Sequence, residues 1–172
     1  GEHMAAEKIV RLQGIAGRTW MRTIDDRLGI SWEESRRKGR SAAPLLPVEE
    51  SLIADRDDHL FIRSEEETVS DQDAYGFVLD VPKYLYNRGE LYNLSVARGT
   101  LTDEERYQIN DHIVQTIIML KKLPYPKHLK EVPALAGGHH ETMDGRGYPK
   151  QLHAAQMPLT ARMMAIADIF EA

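Results

Sequence analysis

The chain has 172 residues, with 22 basic against 27 acidic side chains and a formal net charge of −5. That length suits one domain with a real core, or one domain with an appendage, and the acidic balance argues against DNA or an anionic membrane as a partner. There is no cysteine, which excludes disulfide staples and thiolate metal sites, and no apolar run approaches the ~20 residues of a membrane span, so a cytoplasmic protein is expected.

Taken in chain order, Gly1-Glu2-His3-Met4 reads as a tag remnant. Residues 6 to 28 then place Ile9, Leu12, Ala16, Trp20, Ile24 and Leu28 at spacings of three and four. This pattern predicts one amphipathic helix, which Gly14 and Gly17 weaken without breaking. Ser31-Trp32-Glu33-Glu34 has the form of a capping box and opens a short basic helix towards Arg40. A loop follows from Ser41 to Pro47. The stretch from Glu49 to Asp80 is strongly acidic; Leu52, Ile53 and Leu60 suggest a helix in its first part, and Glu65 to Asp73 a mobile solvated loop. The strand-like runs Leu60-Phe61-Ile62 and Tyr75-Gly76-Phe77-Val78-Leu79 predict a small β-hairpin around residues 60–80.

From Pro82 the pattern turns helical. Tyr84, Leu85, Leu91, Tyr92 and Leu94 form an apolar face that Gly99 ends. Thr102-Asp103-Glu104-Glu105 is a second capping box, starting a helix through Lys122 whose inner face is Ile109, Ile113, Ile117 and Leu120. A further helix is expected from Lys127 to the double histidine at 139–140. Pro158 suits the first turn of a last helix, with Met163, Ile166 and Phe170 directed inward. The fold class is therefore mainly α, a helical bundle. Residues 5–80 form N-terminal helices with an acidic loop, and 81–172 the compact helical part.

Four side chains are candidates for a shared metal centre: His112, His139, His140 and Asp168. Successive groups lie about one helix and one connection apart, so three packed helices could each offer a ligand to one central site. Imidazole and carboxylate suit iron, manganese, zinc or nickel. Neighbouring helical residues point about 100° apart, so His139 and His140 favour two ions or a distorted helix end. His112 alone also fits a hydrogen-bonded boundary residue, whereas Asp168 within an apolar helix needs a partner. His59, His128 and His153 read as surface or loop residues. Gly145-Arg146-Gly147-Tyr148-Pro149 reads as a tight turn with Tyr148 as its anchor.

The run from His139 to Pro149 fits the pattern HHExxDGxGYP at every specified position. By that run the chain resembles the HD-GYP family of metal-dependent phosphodiesterases, whose usual substrate is cyclic di-GMP. The resemblance is strongest over residues 82–172 and implies the C-terminal half of a helical bundle of the HD-domain type. It implies that His112, His139, His140 and Asp168 are metal ligands, with iron or manganese favoured and zinc or nickel acceptable. A hydroxide held by the metal is the expected nucleophile. Glu141 is expected to orient an adjacent histidine, and Asp144 to order the loop. Gly145, Gly147, Tyr148 and Pro149 would lie beside the metals and offer a surface to a partner signalling domain.

One family feature is missing, because the sequence contains no His-Asp dipeptide; Asp58-His59 and Asp111-His112 carry the reversed order. The chain therefore reads as a fragment of a phosphohydrolase acting on a cyclic dinucleotide, inactive or nearly so by itself, with any metal single and weakly held. The alternative is a non-enzymatic module that binds a cyclic dinucleotide or a partner domain. Uncovered stripes at Ile109-Ile113-Ile117 and Met163-Ile166-Phe170 predict self-association.

Overall fold

The computed structural model describes residues 4–38, 42–64, 72–97 and 99–171. Most of the expected tag remnant, the end of the basic helix and nearly all of the acidic loop lie outside these residues. In chain order the elements are α1 (Ala6–Ala16), β1 (Thr19–Arg22), α2 (Trp32–Lys38), β2 (Val48–Ser51), β3 (Leu60–Ile62), α3 (Gln72–Tyr75), β4 (Tyr84–Asn87), α4 (Glu90–Leu94), α5 (Asp103–Lys121), α6 (Val132–Ala136) and α7 (Leu159–Glu171). Single 3₁₀ turns cover Asp57–His59, Lys127–Leu129 and Ala154–Gln156. The fold is mainly helical with two small antiparallel sheets. The chain divides into two interleaved units, one of residues 1–62 and 83–104, the other of 63–82 and 105–172.

In the first unit, the helix expected over 6–28 stops at Ala16, where Gly17 caps it with a bond to the Gln13 carbonyl. Thr19-Trp20-Met21 is β-prone, and β1 pairs antiparallel with β2 from Thr19↔Ser51 to Arg22↔Val48. Trp20, Ile24 and Leu28 are consequently exposed. The pairing also replaces the helix expected after Glu49. Arg22 is buried on this ladder, donating to Glu50 Oε1 at 2.8 Å and to the Ile24 carbonyl at 2.8 Å. Ser31 caps α2 as its sequence predicts, its Oγ accepting from Glu34 N at 3.2 Å.

Strand β3 forms where expected, but its partner is β4, through Leu60↔Asn87 and Phe61↔Tyr86, and not residues 75–79. The sequence Tyr84-Leu85-Tyr86-Asn87 has the aromatic content of a strand, and Tyr86 meets the buried Phe61 edge-on at 5.8 Å. Residues 75–79 are drawn elsewhere. Gly76, at φ +68°, ends α3 in the left-handed region and turns Phe77 into the core of the second unit.

That core is Phe77 with Ile113, Val114 and Ile117 of α5, and Tyr75, Leu79, Ile118 and Tyr148 pack against it. The apolar face of α5 is thus rotated from the expected one; Ile109 is half exposed, and Ile113 and Ile117 are covered within the unit. In place of one helix from Lys127 to the histidines, the chain makes a 3₁₀ turn, then α6, then a turn over Gly137–His140. α7 begins directly after Pro158, but its inward residue is Ala161, fully buried, while Met163, Ile166 and Phe170 face outward. The cause is a close approach. A Cβ on Gly138 would lie 2.9 Å from the Ala161 Cβ, so only small residues fit where this turn meets α7.

Candidate metal centre

Three of the four sequence-predicted ligands come together. The imidazoles of His112 on α5 and of His139 and His140 on the turn after α6 each offer a ligand atom, all within 4.8 Å of one another. His112 Nε2 and His140 Nε2 are 3.1 Å apart. The His139 and His140 rings lie 4.1 Å apart, and those of His112 and His140 5.0 Å apart and nearly perpendicular. Asp168, exposed on α7, is not one of this group, although its charge acts on both His140 and Tyr148.

The backbone sets two of the rings. His112 Nδ1 lies on the Ile109 carbonyl, and His139 Nδ1 lies 2.6 Å from the Ala136 carbonyl. A carbonyl can only accept, so each Nδ1 carries the proton and each Nε2 keeps its lone pair. This is the tautomer a metal-ligating histidine needs. Burial, with the neighbouring His139 and His112, lowers the His140 pKa against the opposing pull of Asp168, which keeps that ring neutral. Two imidazole nitrogens bound to one ion at about 2.0–2.1 Å, at angles of about 90–110°, would be about 2.8–3.4 Å apart. The observed 3.1 Å fits that span, and the donor set fits a divalent transition metal.

Two glycines outside the histidine motif make this convergence sterically feasible. A Cβ on Gly137 would meet Ile117 Cδ1 at 2.6 Å, and Gly138 abuts Ala161. The Gly137-Gly138 pair directly before His139-His140 is the signal that could have identified them.

Beside the imidazoles lies the loop from Glu141 to Leu152. Glu141 is buried, and its oxygens accept from Lys150 N at 2.6 Å and Leu152 N at 2.7 Å. Asp144 Oδ1 accepts from Thr142 Oγ1 at 2.6 Å and from Arg146 N at 3.1 Å, bonds that hold its carboxyl below the usual range. Gly145 has φ +77° and sits against the His153 ring; a Cβ on Gly147 would run into the backbone of Glu141 and Thr142. Tyr148 stacks on His140 at 4.8 Å and 13°, its hydroxyl pKa raised by burial and by Asp168. Pro149 is fully buried.

The model of the HD domain matches residues 47–172. This chain belongs to the HD-domain family. The match begins upstream of residue 82, where the resemblance read from the motifs starts. Three relatives of the HD-domain chain carry names that bear on its chemistry. A "probable cyclic di-GMP phosphodiesterase" of Vibrio cholerae is 33% identical over 85 residues, 46% of this chain and 19% of that protein. A "3'3'-cGAMP-specific phosphodiesterase 3" of the same organism is 35% identical over 74 residues, 43% of this chain and 15% of that protein. A "cyclic di-GMP phosphodiesterase" of Thermotoga maritima is 34% identical over 74 residues, 43% of this chain and 20% of that protein. The chain therefore spans no more than a fifth of the length of these relatives. No solved structure matches it. Among the described residues, no helix is long and apolar enough to cross a membrane.

Proposed function

We propose that this chain carries part of the metal-dependent site of a phosphohydrolase that opens the phosphodiester of a cyclic dinucleotide. Cyclic di-GMP is the proposed substrate, and the linear dinucleotide or GMP the product, formed in the cytoplasm. The observation that carries the reading is the convergence of His112, His139 and His140 in a chain whose relatives bear cyclic-dinucleotide phosphodiesterase names. These imidazoles with Asp168 would hold iron or manganese, with zinc and nickel also compatible with the donors. Such an ion, when bound, stabilises charge on the phosphoryl oxygens and activates water.

The chain's own residues have separable roles in this reading. His112 and His139 supply lone pairs already aimed by their carbonyl bonds. Asp168 adds the negative charge that balances a cation. Glu141, Asp144, Gly145, Gly147, Tyr148 and Pro149 shape the adjoining loop, and the exposed Met143 and Arg146 on it offer a face to a partner signalling domain. Self-association through α7 belongs to the same reading. With no His-Asp dipeptide in the sequence, the chain alone should hold one ion weakly and turn over little or nothing.

Metal analysis joined to a cyclic di-GMP hydrolysis assay tests the proposal. A single ion per chain is expected, lost on His112→Ala, and any slow turnover should vanish with it. Uptake that ignores His112→Ala would overturn the ligand assignment, and two fully occupied ions on one chain would overturn the view that ligands are missing. The absent His-Asp pair favours one second reading, a non-enzymatic module. Binding of cyclic di-GMP that needs no metal, with no turnover under any metal, would support that reading instead.

A further inference from the structure

His112 and His139 are aimed by carbonyls on their own helical turns, but His140 is held another way. Its ring lies almost parallel to that of Tyr148, 4.8 Å away, and the Tyr148 N–H donates to the His140 carbonyl at 3.2 Å. The plane of the third imidazole therefore depends on where the loop puts one tyrosine. We propose that Glu141 is the positioning residue for His140, acting through the Tyr148 ring. The inference rests on the metal reading above and deepens it.

A buried carboxylate must have its oxygens satisfied. Glu141 is 4% exposed, and both its oxygens accept main-chain N–H groups from the far end of the loop, at Lys150 and Leu152. These bonds close the loop back onto the residue next to His140. A second clamp comes from Gly147, whose Cα approaches the Glu141 backbone so closely that no side chain fits. The main chain is thus pinned on both sides of Tyr148 and Pro149. Val78 N adds a bond to the Pro149 carbonyl at 2.6 Å, and Tyr148 packs against the core formed by Phe77 and α5. The Tyr148 ring lies flat against His140, and His140 Nε2 is 3.1 Å from His112 Nε2. Releasing the loop would free the imidazole to swing and would separate the two nitrogens.

Co²⁺ is a suitable probe, because its visible bands report ligand geometry without requiring turnover. In the 172-residue chain, Glu141→Gln removes the charge and sets an amide N–H₂ against a main-chain N–H. The expected result is Co²⁺ binding weakened about 10- to 100-fold with altered bands, in a chain still folded by circular dichroism. Tyr148→Leu should behave alike, and the conservative Tyr148→Phe should restore both affinity and bands, since stacking needs the ring. A folded Glu141→Gln chain with wild-type bands and affinity would overturn the proposal. If Glu141→Gln does not fold, the tyrosine pair decides: identical Co²⁺ behaviour of the Leu and Phe variants would overturn it equally. Failure of the wild-type chain to take up Co²⁺, or undiminished uptake by His112→Ala, would sink the metal reading itself.

Discussion

Burial and neighbouring charges move individual groups of this chain in opposite directions. His140 is lowered by burial and by His139 and His112, so its lone pair stays available near neutral pH. Glu50 is lowered for a different reason: the hydrogen bond from Arg22, 2.8 Å away, outweighs the burial that opposes it. The unfolded Glu50 carboxyl titrates near its ordinary value of 4.5 and the folded one lower, so in that window the unfolded chain binds more protons. The stabilisation from the pair is complete above about pH 4.5 and disappears as pH falls through the folded value. Glu50→Gln should therefore lower stability at neutral pH and flatten the acid limb of the stability profile. Urea unfolding followed by the fluorescence of Trp20 and Trp32 at stepped pH measures this. An acid limb as steep in the variant as in the wild type would show that the pair contributes nothing.

At the scale of elements, the turn after α6 and the small-residue face of α7 control where the histidines sit. Gly138→Ala would put a methyl group 2.9 Å from the Ala161 Cβ and 3.3 Å from the Ala134 carbonyl. Overpacking of this kind costs about 1–3 kcal/mol, and here the displaced turn carries His139 and His140. Lower stability and weaker metal uptake are expected together, with Ala161→Gly restoring much of both in the double variant. Strictly additive effects would mean that this contact does not govern the approach. The same contact explains why α7 was legible in its start but not in its face. Hydrophobicity alone turns Met163, Ile166 and Phe170 inward, whereas the fit at Gly138 selects Ala161. Long local patterns such as α5 could be read from spacing. Strands of three or four residues with partners 22 to 32 positions away could not, because nothing near Trp20 names Glu50, nor near Phe61 names Tyr86. In the site, the histidines stood out because their motif is local. The Glu141 bonds, reaching nine and eleven residues along the chain, did not.

For the molecule as a whole, the consequence lies on the outer face of α7. Leu159, Met163, Ile166 and Phe170 are 71%, 61%, 69% and 92% exposed and recur at spacings of four, three and four. That order reads the same from either end. A two-fold axis across the middle of the helix would set Leu159 against Phe170 of a second copy and Met163 against its Ile166, the self-complementary arrangement a symmetric dimer requires. Fully burying a large apolar side chain contributes about 1.5–3 kcal/mol, so eight such side chains partly covered supply on the order of 10 kcal/mol. That gain is of the same order as the about 4–15 kcal/mol that association costs, so the face supports at most a weak, concentration-dependent dimer. Light scattering should show the average mass rising towards that of a dimer through the micromolar range. Ile166→Glu places an unpaired charge at the centre of the contact and should keep the chain monomeric. Leu45→Glu, at an exposed loop position, should leave the association unchanged. A wild-type chain that stays monomeric at every concentration, or an Ile166→Glu chain that dimerises as readily, would show that α7 does not pair with a second copy.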